Sequence, residues 1–148
     1  IESLPIAAST DHYLYFHETG FDDGSTEPVT AISAHIESSQ IDVGDGDSFS
    51  FVNRAIPDLT FRESTAESPK AVFTVKTRNY PGGAYLQSDT KNVTRSAAAT
   101  STVVEQFTDQ INLRVRGRSF ALKIESTDTG VAWRLGSPRL DVKPDGRR

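Results

Sequence analysis

Three groups of side chains in this sequence have types and spacings that could do chemistry. The first is a carboxylate cluster, Asp42-Val43-Gly44-Asp45-Gly46-Asp47. Oxygen-rich loops with interleaved glycines can hold Ca²⁺. This one has no acidic residue at the closing position of a helix–loop–helix calcium loop, and strand-like runs flank it. Asp and Gly are also the ordinary residues of tight turns. A polar turn without metal is the expectation. The second group is His12, His17 and His35. None stands at a metal-ligand spacing, and His12 and His17 point opposite ways on an extended chain. Surface or packing roles are expected for all three.

The third group is an arginine stripe. Arg114, Arg116 and Arg118 occupy alternate positions, and Arg134, Arg139, Arg147 and Arg148 extend the charge. Alternate residues of a strand share a face. That face could be solvated and paired with Glu125 or Asp141, could contact nucleic-acid phosphates, or could meet an acidic neighbouring subunit. The aromatic residues are expected on the opposite, core-facing side. Structural pairing and inter-subunit contact therefore come ahead of sequence-specific nucleic-acid binding. The candidate interface residues are Arg114, Arg116, Arg118, Arg134 and Arg139.

Catalytic motifs are missing. The sequence has no cysteine, which removes thiolate metal sites, disulfides and cysteine nucleophiles. It has no Gly-x-Ser-x-Gly elbow. Two carboxylates suffice for a glycosidase, but 20 acidic residues give that test no specificity. Asn92-Val93-Thr94 fits the glycosylation pattern, which matters only in a secreted eukaryotic protein. The reading is a protein that is not an enzyme and uses no cofactor.

The elements that would position these residues are strands. Ile111, Leu113 and Val115 alternate with Asn112, Arg114 and Arg116. Phe120, Leu122 and Ile124 repeat the pattern, as do Val131, Trp133 and Leu135. Asp128-Thr129-Gly130 supplies a turn between the last two runs. Phe73 and Val75 point inward from Ala71–Thr77, with Val72, Thr74, Lys76 and Arg78 on the other side. Further runs are expected at 13–17, 30–38, 49–52, 59–61, 103–108 and 140–142. Residues 87–101 are polar and rich in small side chains, and read as a long loop that proteases should cut first. Pro81-Gly82-Gly83 is a strong turn.

The whole is all-β, an antiparallel β-sandwich of about eight to ten short strands. Residues 1–12 read as a linker or entering strand and 13–148 as a single domain. At 148 residues the chain can bury a sizeable core. No run of eighteen apolar residues and no signal peptide is present, so no membrane partner is expected. No methionine occurs, even at position 1, which suggests the C-terminal part of a longer or processed chain. The net charge of −4 is unevenly spread. Residues 1–108 carry 7 Lys and Arg against 15 Asp and Glu, whereas residues 109–148 carry 9 against 5. Such a split suits internal pairing or head-to-tail contact between copies.

Several segments together resemble a known family. They are Arg114-Val115-Arg116-Gly117-Arg118, Ile124-Glu125-Ser126, Gly130-Val131-Ala132-Trp133-Arg134-Leu135-Gly136, and Pro138 through Arg148. They look like the C-terminal end of tail-nozzle, or packaged-DNA-stabilisation, proteins of short-tailed bacteriophages. His17-Glu18-Thr19-Gly20, Gly44-Asp45-Gly46-Asp47-Ser48-Phe49 and Ala55-Ile56-Pro57-Asp58 fit too, so the resemblance runs from about residue 13 to the end. It implies a structural protein of the virion tail, packed in a homo-oligomeric ring with other tail proteins. It allows non-specific contact with transiting DNA, and it implies no catalysis. The alternative is a carbohydrate-binding β-sandwich of a phage adhesin or tailspike, with Tyr80 and Tyr85 as the aromatic candidates.

Overall fold

The computed structural model describes residues 4–80 and 99–146. These residues form fourteen strands and no helix. The strands are β1 (Ile6–Ala8), β2 (Leu14–Phe16), β3 (Asp22–Asp23), β4 (Thr30–Ala31), β5 (Ala34–Glu37), β6 (Ile41–Asp42) and β7 (Ser50–Ile56). They continue as β8 (Leu59–Thr60), β9 (Lys70–Arg78), β10 (Ala99–Glu105), β11 (Ile111–Gly117), β12 (Ser119–Ser126), β13 (Arg134–Leu135) and β14 (Arg139–Pro144). The chain is all-β, as expected, and every pairing is antiparallel. The strand count exceeds the expectation because β3, β4, β6, β8 and β13 have two residues each. A two-residue bridge is too short to write a period into the sequence.

Two sheets carry the core. The first runs β10-β9-β12-β5, with β6 also paired to β12; the second runs β11-β7-β14. Phe73 and Val75 of β9, Val104 of β10 and Phe120, Leu122 and Ile124 of β12 form one cluster with Val52 and Ala55 of β7 and Ile111, Leu113 and Val115 of β11. Each buried Val, Leu, Ile or Phe among them contributes about 1.5–3 kcal/mol relative to exposure. The inward and outward sets of β9 and β11 match the alternation in the sequence. β12 is a central strand and is buried on both sides at its start: Ser119 and Ala121 are covered as fully as Phe120. Over its outer face lies a polar layer, in which Lys76 donates to both oxygens of Glu37 and Gln40 donates to Ser119.

The chain crosses from the second sheet to the first through Gly117 and Arg118. A side chain at Gly117 would place its Cβ 2.6 Å from Cβ of Thr77, so this corner accepts only glycine without rearrangement. The Asp128-Thr129-Gly130 turn forms as expected, with Gly130 at φ +70°. Val131–Ser137, read as one strand, is mostly irregular: only Arg134 and Leu135 pair, with Thr60 and Leu59. Its backbone is held instead by side chains from a distant part of the chain, such as Oγ of Ser64, which accepts from Ala132 N–H at 2.9 Å. Strand β10 begins at Ala99, four residues before the expected start, so 99–101 belong to a strand and not to the loop. Residues 87–98, the Pro81-Gly82-Gly83 turn, Tyr85 and Asn92 lie outside the described residues.

The chain starts with a separate two-stranded ribbon. β1 pairs β2 with Ile6 opposite Phe16 and Ala8 opposite Leu14, and neither strand joins a main sheet. The division at residue 12 falls in the turn of this hairpin.

Candidate functional site

The outer face of the β11-β7-β14 sheet gathers the arginines. Register pairs place Asn112 and Asp141 beside Arg54, Arg139 beside Ile56, and Arg116 and Lys143 beside Phe51. Arg114 lies between buried Leu113 and Val115 and points the same outward way. Five cations, Arg54, Arg114, Arg116, Arg139 and Lys143, therefore share one face. Arg54 meets Asp141 at 3.5 Å. Among the described residues no carboxylate pairs with Arg114, Arg139 or Lys143.

A β-bulge makes this face. Between Val52 and Arg54, Asn53 is an extra residue against β14, where Asp141 and Val142 are consecutive. A bulge leaves one residue out of the ladder and reverses the facing of the residues beyond it. Arg54 thereby points outward although Val52, two residues earlier, points into the core. Oriented with its nitrogen toward β14, the Asn53 amide donates to the Asp141 carbonyl at 3.0 Å and to its Oδ2 at 3.2 Å. The side chain replaces ladder bonds that the bulge forgoes.

The stripe ends in an aromatic clamp. The Arg116 guanidinium lies 3.9 Å from the centre of the Phe49 ring and that of Arg118 lies at 4.8 Å. Arg116 also bonds the Asp145 carboxylate through Nε and donates from NH2 to its carbonyl at 3.2 Å. Phe49 is fixed by the backbone on both sides: its N–H donates to Gly146 O at 2.7 Å, and its carbonyl accepts from Asp145 N–H at 2.8 Å. The expectation that aromatics avoid the arginine side is thus corrected. Phe49 immediately precedes β7 and reaches the stripe from outside β11, which the sequence around Arg114 does not reveal.

Arg134 stands elsewhere. It belongs to β13, is ion-paired with Glu63, and borders a groove of about 530 Å³ with Trp133, Phe21 and Arg62. Trp133 is only partly buried there, and its indole N–H donates to Oγ of Ser126 at 3.0 Å. Tyr80 is 53 % exposed. The three histidines are all exposed.

The acidic half has its own geometry. The first 53 residues contain ten Asp and Glu and no Lys or Arg. Asp11 accepts from the Tyr15 hydroxyl at 2.7 Å and from Tyr13 N–H, and the Tyr15 bond is the main reason its carboxyl lies below the usual range. Asp22 accepts the Gly130 N–H on both oxygens at 2.8 Å, which roots this segment on the β12–β13 turn. The Asp42–Asp47 stretch is a turn with Gly44 and Gly46 at positive φ. Its Asp42 carboxylate is drawn below the usual range first by Gln40 and then by Ser119. Among the described residues no three His, Asp or Glu side chains converge as a metal site requires.

No family model matches this chain, and no curated protein matches it.

Proposed function

We propose that this chain is a structural module of a bacteriophage tail, of the nozzle or packaged-DNA-stabilisation type, and that it works by packing against copies of itself and neighbouring tail proteins. One observation supports the packing role above others. An acidic segment of 53 residues without a Lys or Arg, and a sheet face on which Arg114, Arg139 and Lys143 have no carboxylate partner among the described residues, occur on the same small chain. Different patches that complement each other suit the heterologous contacts from which rings are built. The bacteriophage assignment rests on the resemblance of the C-terminal segments. Mass spectrometry of purified tailed particles tests it directly. Peptides of this chain at the copy number of a ring component are the expected result, and their absence from the particles would refute the assignment.

The carbohydrate-binding alternative has one observation in its favour, and it lies away from Tyr80. The groove beside Trp133 combines an accessible indole with Phe21, Arg62, Glu63 and Arg134. Aromatic surface beside charged hydrogen-bonding groups is the composition of a small polar-ligand site. A glycan array answered by binding that Trp133→Ala abolishes would favour this reading.

A further inference from the structure

We infer that the β1–β2 hairpin of one copy docks on the outer face of the β11-β7-β14 sheet of a second copy. This rests on the packing role proposed above and names its two surfaces. The hairpin is built as an arm. A ribbon of two strands is marginally stable alone in water, yet among the described residues β1 and β2 pair only with each other. Their register puts Ile6, Ala8, Leu14 and Phe16 on one face. Ile6, Leu14 and Phe16 are 59 %, 73 % and 64 % exposed, so this apolar face is uncovered.

The receiving face is complementary in two respects. It holds a shallow groove of about 260 Å³ bordered by Ile56, Arg54, Arg139 and Asp141, over the core residues Ala55 and Leu140. Ile56 is 42 % exposed, which offers an apolar floor for Leu14 or Phe16. The charges then match. The arm carries Asp11 in its turn and Glu18 at its base, with no Lys or Arg to oppose them. Arg114, Arg139 and Lys143 lack carboxylate partners among the described residues. Asp22 binds the arm's root to Gly130 of its own β12–β13 turn, on the margin of the first sheet. A second copy is the occupant that supplies arm and face together, and the contact is heterologous.

The test is sedimentation velocity of this 148-residue chain up to about 1 mM at low and high salt, with two variants. Phe16→Asp removes the arm's apolar contact, and Arg114→Glu with Arg139→Glu reverses the face. Thermal melts of both variants should match the wild type, since all three residues are exposed. The expected result is self-association that each variant weakens roughly tenfold and that salt weakens in the wild type. Mixing the two variants should restore a heterodimer, because each keeps the half that the other lacks. A photo-crosslinker at position 14 should mark 111–116 or 139–143 of an isotopically distinct copy. A wild type that stays monomeric, a mixture that does not recover, or crosslinks elsewhere would overturn the inference. So would a monomer whose face captures a duplex oligonucleotide and loses it on charge reversal, which would assign the face to nucleic acid. Failure here leaves the particle-composition result standing, so the two proposals fall separately.

Discussion

Arg116 lies over the ring of Phe49, 3.9 Å from its centre, while its Nε bonds Asp145. The contact joins the start of β7, the end of β11 and the end of β14 at the corner where the chain leaves the second sheet. An exposed cation–π pair is worth about 0.5–1 kcal/mol and an exposed ion pair about 0.2–1 kcal/mol. Arg116→Ser should therefore destabilise the domain by roughly 1 kcal/mol in urea titration. Arg114→Ser, with neither contact, should stay within about 0.5 kcal/mol. Equal effects from the two would mean that the clamp does not form in solution.

Gly117 makes a second claim on the same corner. A methyl group there meets Cβ of Thr77 at 2.6 Å and the Arg78 carbonyl at 3.1 Å. Both belong to β9, the neighbour of β12, and neither is a flexible chain end. Gly117→Ala should cost about 1–3 kcal/mol, as overpacking does. A melting temperature unchanged by the substitution would show that the corner has room.

The bond from Gly130 N–H to Asp22 crosses 108 residues of sequence. It ties the stretch that precedes β5 to the sandwich, beside the ladders that β5 and β6 make with β12. Asp22→Ala should speed hydrogen exchange at the Gly130 amide and across 20–31, leaving Phe73 and Ile124 as protected as before. A change that spread evenly through the core would mean that the tie supports the whole domain and not one segment.

Strands with long, regular alternation were legible in the sequence. β9 and β11 place Phe73, Val75, Leu113 and Val115 inward as their spacing requires. The site was legible only in part. Arg114 and Arg116 share the expected face, but Arg54 joins them through the Asn53 bulge, and strict alternation would have sent it inward with Val52. The place of Phe49 over Arg116 and Arg118 was not legible, because neighbours across a sheet depend on register, which local spacing does not encode. Val131–Leu135 alternates well and still forms little strand. Its partners there are side chains such as Ser64, not a ladder.

Acid should weaken the domain through its depressed carboxylates. Glu37 lies below its ordinary 4.5, chiefly through the hydrogen bond from Lys76, and Asp42 lies below 3.8 through Gln40. A carboxyl with a folded value under its unfolded one stabilises fully above the unfolded value and loses that contribution as pH falls through the folded one. The melting temperature should hold down to about pH 5 and decline below it. Glu37→Gln should start lower at neutral pH and decline less. Both groups are largely solvent-accessible, so the difference is modest. Parallel curves for wild type and variant would show that the Lys76–Glu37 contact contributes nothing.

Trp133 sits between core and groove, and its behaviour discriminates the two readings of function. Mid-strand position beside Val131 and Leu135 leads one to expect a largely buried indole; it packs against the core but is only partly buried, beside Phe21, Arg62 and Arg134. Its emission should fall between those of a buried and a solvated indole, with partial quenching by acrylamide. Trp133→Phe removes the donor to Ser126, whose residue is only 5 % exposed, and should cost about 1 kcal/mol. Trp133→Ala should cost no more than the low end of the range for fully buried aromatics, about 3 kcal/mol. A larger loss would make Trp133 a core residue whose exposure in the groove is incidental. A small loss, combined with quenching that a bound saccharide protects against, would make the groove a binding site and shift the balance toward the carbohydrate reading.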